Sequence, residues 1–111
     1  MSQKQLLCIT NVDSLVGYAI ACRLLEGREE LRNIQVRCLC RNKEKLDDIE
    51  RLGGELMQVN YQDQNQLRHA MKEVRCVFLL PEHSSQRVQE AENVIKAAKQ
   101  ENVEHMAMKS W

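Results

Sequence analysis

No charge of either sign predominates in this chain. Sixteen basic and sixteen acidic side chains cancel, so no net field draws it to nucleic acid or to an anionic membrane, and no local basic patch takes the place of one. No apolar run approaches the roughly 18 residues of a membrane span. Met1-Ser2-Gln3-Lys4-Gln5 leads into a short apolar segment of strand length, without the apolar core or cleavage site of a secretory signal. The expectation is a cytoplasmic protein, with the nucleus open to a regulator. No internal repeat or low-complexity linker divides the 111 residues, which predicts a single domain over 1–111. With 43% hydrophobic and 29% charged residues, the chain has the composition of a folded globular domain rather than a disordered one.

The cysteines supply no disulfide framework. Cys8, Cys22, Cys38, Cys40 and Cys76 are odd in number, and four of them fall in apparent strands. Cys38 and Cys40 occupy alternate positions of one strand and share a face, which is neither the C-x-x-C redox spacing nor a zinc knuckle. They read as small buried hydrophobes in a reducing compartment, with a reactive or metal-bound thiol as the alternative. His69, His83 and His105 form no metal-ligand spacing.

What the chain does contain is strict alternation of short apolar runs with helical stretches. Leu6 to Thr10 is the first strand. A helix follows from near Ser14, with Asp13 or Ser14 as its cap and Leu15, Val16, Ala19, Ile20 and Leu24 at helical spacing before Gly27. Ile34 to Cys40 is the second strand, and its alternation with Arg37 predicts one face that is less than fully buried. Lys43 to Arg51 reads as a short helix with Leu46, Ile49 and Leu52 inward, ending at Gly53-Gly54. Glu55 to Val59 is the third strand, and Gln66 to Val74 a helix with Leu67, Ala70 and Met71 inward. Arg75 to Leu80, the most hydrophobic strand, stops at Pro81 and is expected to lie centrally. Ser84 or Ser85 caps a longer helix to about Glu101 with Val88, Ala91, Ile95 and Ala98 as its buried stripe. His105 to Lys109 is the fifth strand.

This βαβαβαβαβ order predicts an α/β fold, a doubly wound parallel five-stranded sheet with helices on both faces. If the halves wind in the dinucleotide manner, the strand order is 3-2-1-4-5 and the ligand crevice lies at the carboxyl ends of strands one and four. A response-regulator fold has similar length and alternation, but no acidic cluster ends strand one.

Four loops at the carboxyl ends carry residues that suit a dinucleotide. The first turn, Thr10 to Gly17, stands where the fingerprint has three glycines, of which only Gly17 is present. Asn11 is the commonest replacement where φ is positive. Ser14 stands where backbone and pyrophosphate normally touch, and its hydroxymethyl either crowds the phosphate or donates to it. Asp13 adds negative charge beside an anion site. Leu15 opens the helix. At the end of strand two a carboxylate would hold a ribose 2′-hydroxyl, whereas an arginine suits a 2′-phosphate. Arg41 provides that fork and Lys45 a second charge, which points to NADP; the alternative is a solvated helix start. After strand three, Asn60 offers an amide to an adenine edge and Tyr61 a ring to its face. After strand four, Leu80 and Pro81 bring backbone near a nicotinamide ribose, unless Pro81 only terminates the strand.

With these loops in place, the chain resembles the N-terminal half of the NmrA-like proteins, an atypical branch of the short-chain dehydrogenase/reductase superfamily. The resemblance rests on Val36 to Leu46 and on Leu52 to Asp63, similar to the family's strand, arginine-led loop and helix, then its glycine-acid-apolar strand ending in an acid or amide with a following Asp. Val74 to Pro81 resembles its fourth strand and Val103 to Met106 the approach to its fifth. Asn11 and Ser14 stand where the family has glycines, which lowers the NADP affinity to be expected. The resemblance implies either an NADP-dependent reductase or a catalytically silent regulator that senses the nicotinamide pool. The superfamily's catalytic Tyr-x-x-x-Lys lies beyond strand five, and neither Tyr18 nor Tyr61 is followed by lysine at the fourth position. The expectation is therefore an NADP-binding domain, regulatory or catalytically incomplete, lacking the family's C-terminal substrate region. Two alternatives stay open: a fragment of an active reductase, and an interaction module that keeps the fold without the nucleotide. An uncovered fifth strand bearing Met106, Met108 and Trp111 is expected to pair with a second copy or with a C-terminal fragment.

Overall fold

Apolar runs bounded by turn residues form five parallel strands, and the polar-rich stretches between them form four helices. The structure is a computed structural model that describes residues 5–27, 34–80 and 85–108. In chain order these are β1 (Gln5–Ile9), α1 (Leu15–Glu26), β2 (Ile34–Cys40), α2 (Asp47–Arg51), β3 (Glu55–Gln58), α3 (Gln64–Met71), β4 (Val74–Leu79), α4 (Ser85–Gln100) and β5 (His105–Met108). The sheet order is β3-β2-β1-β4-β5, all pairs parallel. This is the doubly wound order expected from the alternation, and it sets the carboxyl ends of β1 and β4 side by side. The β1–β4 register is irregular between Leu6 and Leu7.

Alternation along each strand sends side chains to two cores, one on each face. On one face Ile9, Val36, Cys38 and Cys40 pack against Ala21 and Leu25 of α1 and Ile49 of α2. On the other, Leu6, Cys8, Leu39, Val77 and Leu79 pack against Leu67, Ala70 and Met71 of α3 and Val94, Ala97 and Ala98 of α4. Arg37 lies on this second face near its edge. Its guanidinium pairs with Glu55 at 3.1 Å and donates to the Ala70 carbonyl, so a charged strand residue is accommodated without an unpartnered group. No helix among the described residues is long and apolar enough to cross a membrane.

All four helices differ from their sequence-based outlines. The α2 helix is five residues rather than nine, because Lys45 takes φ 65° in a turn closed by the Leu46 N–H on the Lys43 carbonyl at 3.2 Å. Gly53, at φ 97°, then ends it. The α3 helix begins two residues early, since Asp63 caps it by accepting from the Asn65 and Gln66 amides. In α1 the buried line is Gly17, Ala21 and Leu25, whereas Leu15 is 88% exposed. Small residues face the sheet here, so the larger ones are turned aside. The α4 stripe is likewise displaced: Glu90, Val94, Ala97 and Ala98 are buried and Val88 is exposed. Within the sheet β5 and β3 are the outer strands, and Met106 on β5 is partly exposed. The Met108 side chain, Trp111, Pro81, His83 and Ser84 lie outside the described residues.

Burial acts on the thiols. It pushes Cys38 from an ordinary value of 9.0 up to about 12 and Cys40 to about 11, and raises Cys8 further still. Below pH 9 folded and unfolded chains both keep these protons. Above it only the unfolded chain releases them, so stability falls as pH climbs from 9 towards 12. Urea midpoints are therefore expected to drop between pH 8 and about pH 10.5, and the drop is expected to shrink in Cys38→Ala; equal drops in both chains would contradict this assignment.

Candidate functional site at the carboxyl edge

The turn between β1 and α1 is built around Asn11. This buried residue sits at φ 56°, a conformation asparagine tolerates better than most non-glycine residues. Its amide N–H donates to the Tyr61 hydroxyl at 2.9 Å and its side-chain Nδ2 to the Leu80 carbonyl at 2.6 Å. Its carbonyl accepts from the Ser14 amide at 3.0 Å and from the Ser14 hydroxyl at 2.7 Å. Thr10 extends the β1–β4 ladder: its N–H donates to the Phe78 carbonyl at 3.1 Å, and its hydroxyl accepts from the Leu80 amide at 3.0 Å. On the other side the Val12 amide reaches the Leu39 carbonyl at 3.0 Å. The turn is thus held from β2, β4 and the end of β3 together.

Ser14 is the N-cap of α1. Its oxygen accepts from the Gly17 amide at 3.1 Å while its proton goes to the Asn11 carbonyl. The hydroxyl is turned into the helix start, so it is committed to the fold rather than aimed at a phosphate. The Leu15 and Val16 amides, first in the helix, have no helical carbonyl four residues before them and mark its positive end. Asp13 is exposed, and its carboxylate accepts from the Arg41 amide at 2.9 Å, which ties the turn to the end of β2.

Arg41 turns inward. Its Nη2 donates to Glu90 Oε2 at 2.7 Å and its Nη1 to Asn11 Oδ1 at 3.1 Å. Its Cζ lies 4.7 Å from the centroid of the Tyr61 ring, within cation–π range. The Glu90 side chain is only 10% exposed, and a carboxylate so buried requires a cation beside it. Tyr61 is buried, and that burial pushes its hydroxyl well above the ordinary phenol range. Tyr18 is also raised, to about 12, by its hydrogen bond to the Asp48 carboxylate at 2.9 Å, so neither tyrosine ionises near neutral pH.

Of the residues the sequence singles out, Asn11, Arg41, Tyr61 and Leu80 meet in one cluster. Asp13, Ser14 and Leu15 border it. Asn60 uses its side-chain oxygen on the Gln62 amide at 2.9 Å, and Lys45 is exposed with no part in the cluster. Sequence reasoning missed Thr10 and Glu90. Glu90 left a trace: it lies at i, i+4, i+8 with Val94 and Ala98 on the face that packs inward. Among the described residues no group of three metal-ligating side chains is placed to hold a metal ion.

The family model described as NAD(P)H-binding matches residues 16–111. No curated protein matches the chain. Among solved structures, an NADPH-dependent quinone oxidoreductase from Escherichia coli, complexed with NADPH, is 25% identical with a TM-score of 0.79, over 94% of this chain and 36% of that one. A triphenylmethane reductase from Citrobacter sp., complexed with NADP(H), is 21% identical with a TM-score of 0.79, over 95% and 37%. A nucleoside-diphosphate-sugar epimerase from Staphylococcus aureus is 25% identical with a TM-score of 0.76, over 92% and 36%. The chain spans little more than a third of the length of each.

Gly17 within α1 and Gly27 at its C-terminal cap provide a test of the turn. A Cβ on Gly17 would collide with the Asn11 carbonyl oxygen, whereas on Gly27 the nearest atom, the Arg23 carbonyl oxygen, would be 3.6 Å away. Gly17→Ala is expected to destabilise by about 1–3 kcal/mol, and Gly27→Ala to be neutral or stabilising by up to about 1 kcal/mol. Urea unfolding of the two variants checks this, and similar midpoints would mean the α1 approach is not tight.

Proposed function

This chain belongs to the NAD(P)H-binding family, and we propose that it binds NADP at the carboxyl edge of β1 and β4 as a regulatory or catalytically incomplete domain of NmrA-like type. The observation that carries the reading is Arg41: a guanidinium, not a carboxylate, ends β2 and reaches into the crevice beside Asn11. A carboxylate there would suit a free ribose hydroxyl, and a guanidinium suits a 2′-phosphate.

The residues present fit the dinucleotide. Asn11 keeps the left-handed turn that a glycine would otherwise supply, and Gly17 keeps the close approach of helix to turn. Leu15 and Val16 offer amides to a pyrophosphate at the helix start. Arg41 supplies charge for the 2′-phosphate, with Lys45 nearby in sequence. The Escherichia coli oxidoreductase and the Citrobacter reductase, each described with the phosphorylated cofactor, support the choice of NADP over NAD. When bound, the dinucleotide supplies a hydride carrier. This chain's own residues bind and orient it, and no Tyr-x-x-x-Lys pair stands among them.

One observation favours a second reading, a module that keeps the fold without the nucleotide. Arg41 is already paired with Glu90, and the cavity between Thr10, Asn11, Arg41, Tyr61, Leu80 and Glu90 is about 10 Å³, against roughly 300–1,000 Å³ for ligand pockets in general. Calorimetric titration separates the two. NADPH is expected to bind saturably and at least tenfold (~1.4 kcal/mol) more tightly than NADH, and Arg41→Ala, read where the variant is folded, to abolish that preference. No heat at millimolar cofactor would favour the nucleotide-free module.

A further inference from the structure

The guanidinium that the NADP reading needs is occupied by the protein itself. Arg41 gives Nη2 to Glu90 at 2.7 Å and Nη1 to Asn11 at 3.1 Å, over the face of Tyr61. Glu90 is a buried residue of α4 and Arg41 follows β2, so the pair joins the two elements, and both side chains line the cavity beside Asn11 and Tyr61. Both side chains are largely withdrawn from solvent, Arg41 at 28% and Glu90 at 10% exposed, where charge-assisted hydrogen bonds gain strength.

We propose that Glu90 is a specificity-determining residue of this site: its carboxylate competes with the nucleotide's 2′-phosphate for the Arg41 guanidinium. The inference rests on the NADP reading and adds to it the group that sets how strongly a 2′-phosphate is felt. A phosphate monoester carries more charge than a carboxylate and offers the same fork geometry, so it can take the guanidinium from Glu90, at the cost of leaving a buried carboxylate without its cation. A 2′-hydroxyl carries no charge and leaves the pair in place. Glu90 therefore lowers affinity selectively for nucleotides phosphorylated at the 2′ position. Its effect passes through Arg41 and not through contact with the ligand, which makes it a positioning residue.

The test uses 2′,5′-ADP and 5′-AMP, which differ in the 2′-phosphate, titrated into the wild type, Glu90→Gln, Arg41→Ala and the double variant. Glutamine keeps the shape of Glu90 and removes its charge. Glu90→Gln is expected to tighten 2′,5′-ADP by about tenfold and to change 5′-AMP by less than about twofold. In the Arg41→Ala background the same change is expected to have no effect on the ratio, which a merely structural or long-range role of Glu90 would not produce. Glu90→Asp, which keeps the charge on a shorter stem, is the second variant and is expected to fall between wild type and Glu90→Gln. In the ligand-free chain, nitrogen NMR is expected to resolve separate Arg41 Nη signals in the wild type and to show them merged in Glu90→Gln. Equal tightening of both nucleotides, an unchanged ratio, or unchanged Arg41 signals would each overturn the competition. Saturable binding of neither nucleotide to any variant would refute the NADP reading and the competition with it, a pattern distinct from binding with unaltered preference.

Discussion

Every carboxyl-terminal strand end in this site is positioned through Asn11. One buried residue at φ 56° holds its amide on Tyr61, its side-chain nitrogen on Leu80, its side-chain oxygen on Arg41 and its carbonyl on Ser14. These partners come from the ends of β3, β4 and β2 and from the start of α1. Each bond satisfies a group that would otherwise be buried without a partner, so the turn is specified by polar satisfaction as much as by shape. The same carbonyl oxygen lies where a Cβ on Gly17 would fall, so the turn requires glycine at this position.

Charge in the site obeys a second constraint. The start of α1 and the Arg41 guanidinium bring positive charge to the crevice, and carboxylates of the chain offset it. Asp13 is held by the Arg41 amide and Glu90 by the Arg41 side chain. One arginine thus serves the fold and, in our reading, the ligand. The cavity between these groups is about 10 Å³, and in our reading a nucleotide binds there by exchanging one anion for another.

The sheet order was legible because five apolar runs separated by helical stretches admit few right-handed parallel arrangements, and the loops after the strands pointed to the dinucleotide winding among them. The faces of α3 and α2 were legible too, since Leu67, Ala70, Met71 and Ile49 are apolar residues at helical spacing. In α1 and α4 the same logic placed Ile20, Leu24, Ala91, Ile95 and Ala98 against the cores, where they lie, and failed nearer the helix starts. Leu15 and Val88 carry the strongest apolar character at their ends, but Gly17 and Glu90 face inward because the turn requires a close approach and Arg41 requires a carboxylate. The first is set by the backbone of the turn itself and the second by a residue on another element, and hydrophobic periodicity registers neither. Asn11 and Arg41 were visible as cofactor candidates from their loop positions. Their contact with each other, and Tyr61 beneath the guanidinium, depend on how three strand ends converge.

Binding of the nucleotide at the carboxyl edge, as we propose, is read by amide chemical-shift mapping during NADPH addition. Shifts are expected to concentrate at residues 11–17, Arg41, Tyr61 and Leu80, with Glu90 following as its partner is drawn away. Shifts centred on the opposite edge, around Gln5, Ile34 and His105, or no shifts at all, would contradict it.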